Sequence, residues 1–113
     1  MHEYFITQNI LKTVITEAEK SGAKKVLEIH LEIGELSSFE ESSIKMYFDI
    51  LSEKTIACGA KIIVSKTPVE FHCLKCDFDY EIDHISYDCP VCGEIGAYNG
   101  SGKEFLVESI EID

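Results

Sequence analysis

The chain has 113 residues, 45% hydrophobic and 27% charged, with a formal net charge of −11 at pH 7, which fits one domain or one domain with a small insertion. All ten basic residues are lysines, so the sequence lacks the arginine forks and basic stripes that recognise nucleic acid and anionic membranes. It also lacks an apolar run as long as a membrane span and the basic start of a secretory signal, so we expect a cytoplasmic protein with reduced thiols.

The first feature along the chain is a possible metal chelate formed by Met1, His2 and Glu3. The Met1 amine, the His2 imidazole and the amide between them can close fused rings on one ion, and Glu3 adds an amide nitrogen or a carboxylate. This donor set suits square-planar nickel(II) or copper(II). Histidine is too large for the usual removal of an initiator methionine, so we expect it to stay second. Taken alone, so short a motif is more often an ordinary chain start.

The hydrophobic pattern predicts two helices and three strands of one domain. A helical stripe from Tyr4 to Lys20 is followed by Gly22 as a stop, and a strand alternates from Val26 to Ile33 with Leu27 on its apolar face and His30 on its exposed face. The segment from Ser38 to Glu41 has the spacing of a capping box ahead of a second helix. A strand over residues 60–66 and a final strand after residue 104, with imperfect alternation at Glu108-Ser109, complete the pattern.

Two residues near the second helix each have two interpretations. Glu40 is either an additional nickel ligand or, as its position in the cap favours, a carboxylate that stabilises the start of the helix. Cys58 stands apart from the other four cysteines. The sequence favours a small buried hydrophobic residue at Cys58 over a reactive thiol.

The strongest signal is a pair of CxxC motifs separated by twelve residues. Two-residue spacing lets each pair form a knuckle, and four thiolates can then surround one zinc ion at about 2.3 Å. The predicted zinc ligands are Cys73, Cys76, Cys89 and Cys92. Two disulfides, or a thioredoxin-like redox pair, are the alternatives. The redox pair is disfavoured because the residues after Cys76 alternate like a strand, whereas a redox CxxC opens a helix.

The pattern predicts that the cysteine segment is an insertion into the first domain. The element order predicts an α+β fold, in which two helices lie on a three-stranded sheet with an inserted small β-rich zinc-ribbon domain. We expect a domain of residues 1–67 plus 101–113 and a zinc-binding domain of residues 68–100. His72 and His84 could hydrogen-bond or replace a thiolate, although solvated loop positions are commoner for such histidines.

Taken together, these features resemble the HypA/HybF hydrogenase nickel-insertion metallochaperones over essentially the whole chain. The resemblance is carried by Met1-His2-Glu3, the strand end Ile33-Gly34-Glu35-Leu36, the two CxxC pairs and a glycine-rich return to a short last strand. It implies Ni(II) as cargo, held around the residues at positions 1–3, and structural Zn(II) held by the four cysteines. It also implies delivery to the [NiFe]-hydrogenase large subunit with a HypB-like GTPase, and some members serve urease, so urease accessory proteins are a further expected partner class.

The sequence gives no sign of an enzyme, since it has no catalytic triad order, phosphate loop or dinucleotide fingerprint. A nickel carrier is therefore the first hypothesis. The alternative is a zinc-ribbon adaptor that scaffolds other proteins and has no nickel function. Both a monomer and a homodimer are compatible with the sequence, and the glycines near residue 100 would allow a domain-swapped dimer.

Overall fold

The computed structural model describes residues 2–82 and 86–113. Its helices and strands are α1 (His2–Lys20), β1 (Val26–Gly34), α2 (Glu41–Leu51), β2 (Lys61–Thr67), β3 (Glu70–Cys73), β4 (Phe78–Glu81), β5 (Ala97–Tyr98) and β6 (Phe105–Ile112). Two three-stranded sheets have the orders β2-β1-β6 and β4-β3-β5. The predicted α+β fold with an inserted β-rich ribbon is confirmed. Among the described residues, no helix combines the length and apolarity needed to cross a membrane.

The chain divides into two compact units. Unit 1 comprises Met1–Glu32, Ser38–Ser65 and Leu106–Asp113, and unit 2 comprises Ile33–Ser37 and Lys66–Phe105. Unit 1 therefore contains both helices, and unit 2 contains all four cysteines of the CxxC motifs. The core of unit 1 includes the fully buried side chains of Val14, Ile29 and Phe48.

Helix α1 follows the predicted stripe, with Ile10, Val14 and Ala18 buried along one face. The helix ends at Lys20, just before Gly22, which the sequence predicted as its stop. The amide of Gly22 donates to the carbonyl of Glu19 at 3.0 Å, and the amide of Ala23 donates to the carbonyl of Ala18 at 3.0 Å. This pair of bonds is a Schellman motif, which satisfies carbonyls that the helix itself leaves unpaired.

Strand β1 is the central strand of its sheet, between β2 and β6. The alternation predicted from sequence holds for Ile29 and Leu31, which are buried, but Leu27 is 43% exposed. The expected apolar face therefore begins two residues later than predicted. At the start of the strand the buried position is Val26 instead, whose amide donates to the carbonyl of Ile56 at 2.9 Å.

The predicted capping box ahead of α2 is wrong. The helix begins at Glu41 and its N-cap is Glu40, which has an extended backbone and makes no side-chain cap hydrogen bond. The start is set by the first helical bond, from the amide of Ile44 to the carbonyl of Glu40 at 3.2 Å. Burial of Ile44 and Phe48 fixes the helix in this position, and packing outweighs a local capping preference.

The predicted burial of Cys58 is also wrong, because Cys58 is exposed. The chain after α2 makes tight turns in which the amide of Cys58 donates to the carbonyl of Thr55, and the amide of Ala60 donates to the carbonyl of Ala57. These turns direct Ala57 inward, where it is fully buried. The neighbouring small residue thus occupies the core position that the sequence suggested for the cysteine.

In unit 2, β3 is the central strand and pairs antiparallel with β4 and β5. The buried Tyr80 of β4 joins distant parts of this unit. Its hydroxyl donates to the carbonyl of Tyr87 at 2.8 Å and accepts from the amide of Gly96 at 2.9 Å. Phe71 of β3 stacks on Tyr87, with ring centroids 5.7 Å apart and an interplanar angle of 13°. Sequence reasoning did not identify Tyr80 or Tyr87.

The last residue of β1 and the two residues after it are hydrogen-bonded to two other segments of unit 2. On one side, the amide of Gly34 donates to the carbonyl of Glu104 at 2.7 Å, and the amide of Leu36 donates to the carbonyl of Gly102 at 2.7 Å. On the other side, the amide of Glu35 donates to the carbonyl of Thr67 at 2.9 Å. A Cβ on Gly34 would lie 2.1 Å from the carbonyl carbon and oxygen of Gly102. Only glycine permits this approach of two backbones.

We predict that Gly34→Ala destabilises the protein by about 1–3 kcal/mol, the usual cost of forcing an extra methyl group into a packed site. Urea unfolding followed by circular dichroism measures the change. Glu35→Ala is the matched control, because it changes the neighbouring exposed side chain and should alter stability by less than about 0.5 kcal/mol. Equal stabilities for the two variants would show that the close approach at Gly34 is not required.

Candidate metal centre

The four cysteines of the two CxxC motifs converge in unit 2. The sulfur atoms of Cys73, Cys76, Cys89 and Cys92 all lie within 4.8 Å of one another. The Sγ atoms of Cys73 and Cys92 are 3.6 Å apart. Four sulfurs placed at the Zn–S distance on a tetrahedron would be separated by about 3.8 Å. The quartet, as we call these four residues, therefore fits one tetrahedral ion without rearrangement of the backbone.

Each pair of cysteines is shaped by a turn that follows its first member. The amide of Asp77 donates to the carbonyl of Cys73 at 2.8 Å, and the amide of Gly93 donates to the carbonyl of Cys89 at 2.9 Å. The residue after each second cysteine has a left-handed backbone, with φ of 58° at Asp77 and 80° at Gly93. The two pairs thus form matching knuckles, and Gly93 supplies the left-handed turn that the sequence predicted at the second.

The thiols of the quartet differ in acidity. Burial, which is the largest cause, and hydrogen bonds with Cys92 and Cys73 together raise the pKa of Cys76 to about 12. Burial also acts to raise the pKa of Cys89, but hydrogen bonds from the backbone amides of Cys92 and Val91 outweigh it and lower that pKa to about 7. Cys89 is therefore the thiol most ready to provide a thiolate, and a metal ion must displace protons from its neighbours.

The geometry does not support the two alternatives for these cysteines. The sulfurs of Cys73 and Cys92 are 3.6 Å apart, whereas a disulfide requires about 2.05 Å, and all five cysteines are free thiols. The residues after Cys76 form strand β4 rather than a helix. A thioredoxin-like pair would open a helix at that point.

His72 lies beside the quartet but points its ring at two carboxylates. Nδ1 is 2.8 Å from Oδ1 of Asp79, and Nε2 is 3.1 Å from Oδ1 of Asp77. Both ring nitrogens are thus occupied by acidic partners, and neither hydrogen-bonds a sulfur. The hydrogen bond to Asp79 is the largest cause of a raised pKa for His72, and Asp77 adds to it. His84, which lies between the two cysteine pairs in the sequence, is outside the described residues.

The predicted nickel ligands lie at the start of α1, which begins at His2. Met1 and the side chain of His2 lie outside what the structure describes. Glu3 is half-buried in the first turn, and its carbonyl accepts a hydrogen bond from the hydroxyl of the buried Thr7. His2 and Glu3 are thus part of the helix rather than of a segment that precedes it.

Glu40 stands at the N-cap of α2 with an exposed side chain. Its Oε1 accepts a hydrogen bond from the hydroxyl of Ser42 at 2.9 Å. Glu40 thus lies at the start of the helix, where the sequence placed it, and nickel ligation by its carboxylate stays a prediction. In the described part of the chain, Glu40 belongs to no group of three or more potential metal ligands.

A second group of potential ligands lies in unit 1 and was not found from sequence. It consists of Glu28, His30 and Glu111. His30, which was expected to be simply exposed, has a side chain that is only 29% exposed and is paired with carboxylates. The signal that could have revealed it is the row of alternating polar residues on β1, but the contribution of β6 depends on strand pairing.

The sequence matches the family model for hydrogenase/urease nickel incorporation, metallochaperone, hypA over residues 1–112. It is 41% identical over 114 residues to a hydrogenase maturation factor HypA of Caldanaerobacter subterraneus subsp. tengcongensis, and the match covers all of both chains. It is 37% identical over 120 residues to the protein of the same name of Methanothermobacter thermautotrophicus, with 100% of this chain and 98% of that protein covered.

Two solved structures have a similar fold. The solution structure of the Ni metallochaperone HypA from Helicobacter pylori superposes with a TM-score of 0.65 at 22% identity, covering 97% of this chain and 96% of that one. A solution structure of HypA protein gives a TM-score of 0.72 at 24% identity, covering 99% and 96%. At these identities the similarity concerns the fold.

We predict that Asp79→Asn lowers the pKa of His72 more than Asp77→Asn does, because Asp79 makes the shorter bond and is the larger cause of the shift. A raised folded-state pKa means that the pairing stabilises the fold below the ordinary histidine pKa and that this contribution is lost as pH rises through the raised value. NMR titration of the His72 ring in metal-loaded protein measures the pKa of His72 in each variant and so shows which substitution lowers it more. The reverse order would contradict the assignment of Asp79 as the main partner.

Proposed function

The chain belongs to the HypA family of hydrogenase/urease nickel-incorporation metallochaperones, and on that premise we propose that it binds Ni(II) at its N-terminus and delivers it for [NiFe]-hydrogenase maturation. The observation that carries the proposal is the family match over residues 1–112, which includes both the N-terminal tripeptide and the quartet. The proposed nickel ligands come from Met1, His2 and Glu3. The protein acts as a carrier rather than as a catalyst.

We assign zinc to the quartet, within the zinc-binding domain of residues 68–100. Zinc prefers four-coordinate thiolate sites of this spacing, and the observed sulfur separations match a tetrahedron of that size. Four protein ligands leave no open position on the ion, so such a site is structural and exchanges slowly. A bound zinc ion would cross-link the two knuckles, and this structural role involves no redox chemistry.

The proposed nickel site has an open donor set, unlike the closed quartet. It lies at the N-terminus of a helix in the domain of residues 1–67 plus 101–113. Residues 2 and 3 lie in the first turn of α1, which begins at His2, so their amide nitrogens are not donors in the hydrogen-bond ladder of the helix. A metal can therefore replace the amide protons without breaking a helical bond. The resulting negative charges lie at the helix N-terminus, where the macrodipole stabilises them.

A chelate at the start of a helix also suits delivery. Its donors can be replaced one at a time by an incoming thiolate or carboxylate, whereas the closed quartet offers no such route. The recipient that we propose is the large subunit of [NiFe]-hydrogenase, with a HypB-like GTPase as helper and urease accessory proteins as further partners. Transfer between such partners takes place in the cytoplasm, where the thiols of the quartet stay reduced.

A zinc-ribbon adaptor without nickel function remains the second candidate. The observation that favours it is the exposure of apolar residues at the tips of the two knuckles, where Leu74 is 80% exposed and Val91 is 75% exposed. Exposed apolar side chains of this kind are typical of protein contact surfaces. The two candidates differ in whether nickel binding depends on His2.

We predict that untagged protein that begins at Met1 binds one nickel ion and that His2→Ala abolishes this binding while zinc content is unchanged. The reason is that the imidazole closes one of the chelate rings. The measurement is nickel titration by isothermal calorimetry with metal analysis. Affinity should also fall below about pH 6, since the imidazole and the amine must both lose protons.

A variant with one glycine added before Met1 is the matched control. It retains every side chain but moves the terminal amine away from His2, so it should also lose nickel. If both variants bind nickel as the parent does, the proposed ligand set is wrong. Loss of zinc in either variant would show instead that the quartet, rather than the N-terminus, was disturbed.

We predict that Cys89→Ser releases zinc and unfolds unit 2, because two of the three buried residues in the hydrophobic cluster around Tyr80 are themselves ligands and structural zinc contributes about 10–16 kcal/mol in small domains. NMR should show loss of dispersed signals from β3, β4 and β5 while signals of α1 persist. Cys58→Ser is the control, since Cys58 is exposed and outside the quartet. Retention of zinc by Cys89→Ser would contradict the assignment.

A further inference from the structure

The outer face of the first sheet carries an arrangement of side chains that the nickel and zinc sites do not use. His30 on β1 places Nε2 at 3.2 Å from Oε1 of Glu28 and at 3.8 Å from Oε1 of Glu111 on β6. One ligand atom from each of the three residues lies within 4.8 Å of the others. Three donors from two adjacent strands therefore converge on one point of the surface.

The sheet itself explains this convergence. Glu28 and His30 are two residues apart on β1, so they share the face opposite to the buried Ile29 and Leu31. Since β6 pairs with β1, a residue on the same face of β6 can reach them.

The irregular alternation of β6 places Glu111 on that face. Phe105 and Val107 are half-buried, Glu108 and Ser109 are both exposed, and the half-buried positions resume at Ile110. A shift of one residue in the phase of a strand moves every later side chain to the other face. Without the extra exposed residue, Glu111 would face inward and the core-facing Ile110 outward.

We propose that Glu28, His30 and Glu111 form a binding site for a divalent first-row transition ion. Imidazole nitrogen suits nickel, zinc and iron, and carboxylates accept the same ions with water in the remaining positions. The charge supports a cation, because the two carboxylates that converge beside the imidazole repel each other and a 2+ ion neutralises them. The side chains of Glu28 and His30 are only 31% and 29% exposed, so both are held in place before the ion arrives.

The site is distinct in its residues from both the N-terminal chelate and the quartet, and the inference holds whether or not nickel binds at His2. The coordination also differs. Two carboxylates, one imidazole and water give a six-coordinate paramagnetic nickel ion, whereas an amine, amides and one imidazole give a planar diamagnetic one. Paramagnetic broadening of NMR signals therefore distinguishes the proposed site from the N-terminal chelate.

The test is a titration of zinc-loaded His2→Ala protein with Ni(II), followed in proton–nitrogen correlation spectra. We expect saturable broadening of amide signals centred on residues 28–31 and 109–112. Adding His30→Gln should abolish it, and adding Glu111→Gln should weaken the apparent affinity by about tenfold or more, since even outer partners of a metal ligand commonly matter that much.

Glu108→Gln is the matched control, because it removes the same charge from an exposed position of the same strand but not from the cluster. It should leave the affinity within about twofold of the parent, as expected for a screened surface charge. Broadening that is absent, spread over the acidic surface, or weakened equally by Glu108→Gln and Glu111→Gln would overturn the proposal. In those cases His30 serves only as an ion-pair partner of the two glutamates.

Discussion

The convergence of four sulfurs is the constraint on which unit 2 depends. The hydrophobic cluster around the quartet has three buried residues, Cys73, Tyr80 and Cys89, so two of the three are cysteines. A unit this small cannot gain enough stability from apolar burial and needs a covalent or metal cross-link. The surrounding contacts, including the Tyr80 hydroxyl between Tyr87 and Gly96, add geometric order. The same four atoms therefore serve as core and as cross-link.

The two proposed metal sites differ in the openness of their donor sets. A closed quartet of thiolates has every coordination position filled by the protein, and its order is inseparable from folding. A chain terminus at the start of a helix has donors that can leave singly, and the helix loses no internal bond when they do. A protein that stores one ion for structure and passes on another needs both arrangements in one chain.

Patterns that are local in the sequence were predicted well, and features that depend on packing were not. The element order and the cysteine knuckles follow from periodicity and spacing. The capping box at Ser38 was wrong because burial of Ile44 and Phe48 positions α2 two residues later. The sequence predicted that Cys58 is buried, but the turns after α2 bury Ala57 instead. In each case a tertiary contact outweighed a local preference.

Long-range pairings could not be predicted at all. The approach of Gly34 to Gly102 and the contact of His30 with Glu111 join residues that are distant in the chain. A single sequence gives the irregular alternation at Glu108-Ser109 but not which strand lies next to it. Strand order, which brings β6 beside β1, is the information that the sequence lacked.

X-ray absorption at both metal edges of one sample, loaded with a single equivalent of nickel, tests the central claim most directly. The account predicts a zinc edge with four sulfur neighbours at about 2.3 Å and a nickel edge with only nitrogen and oxygen neighbours in a planar arrangement. Sulfur around nickel, or loss of sulfur around zinc when nickel is added, would show that the quartet itself carries the cargo. That result would contradict the division between a structural zinc site and a terminal nickel site.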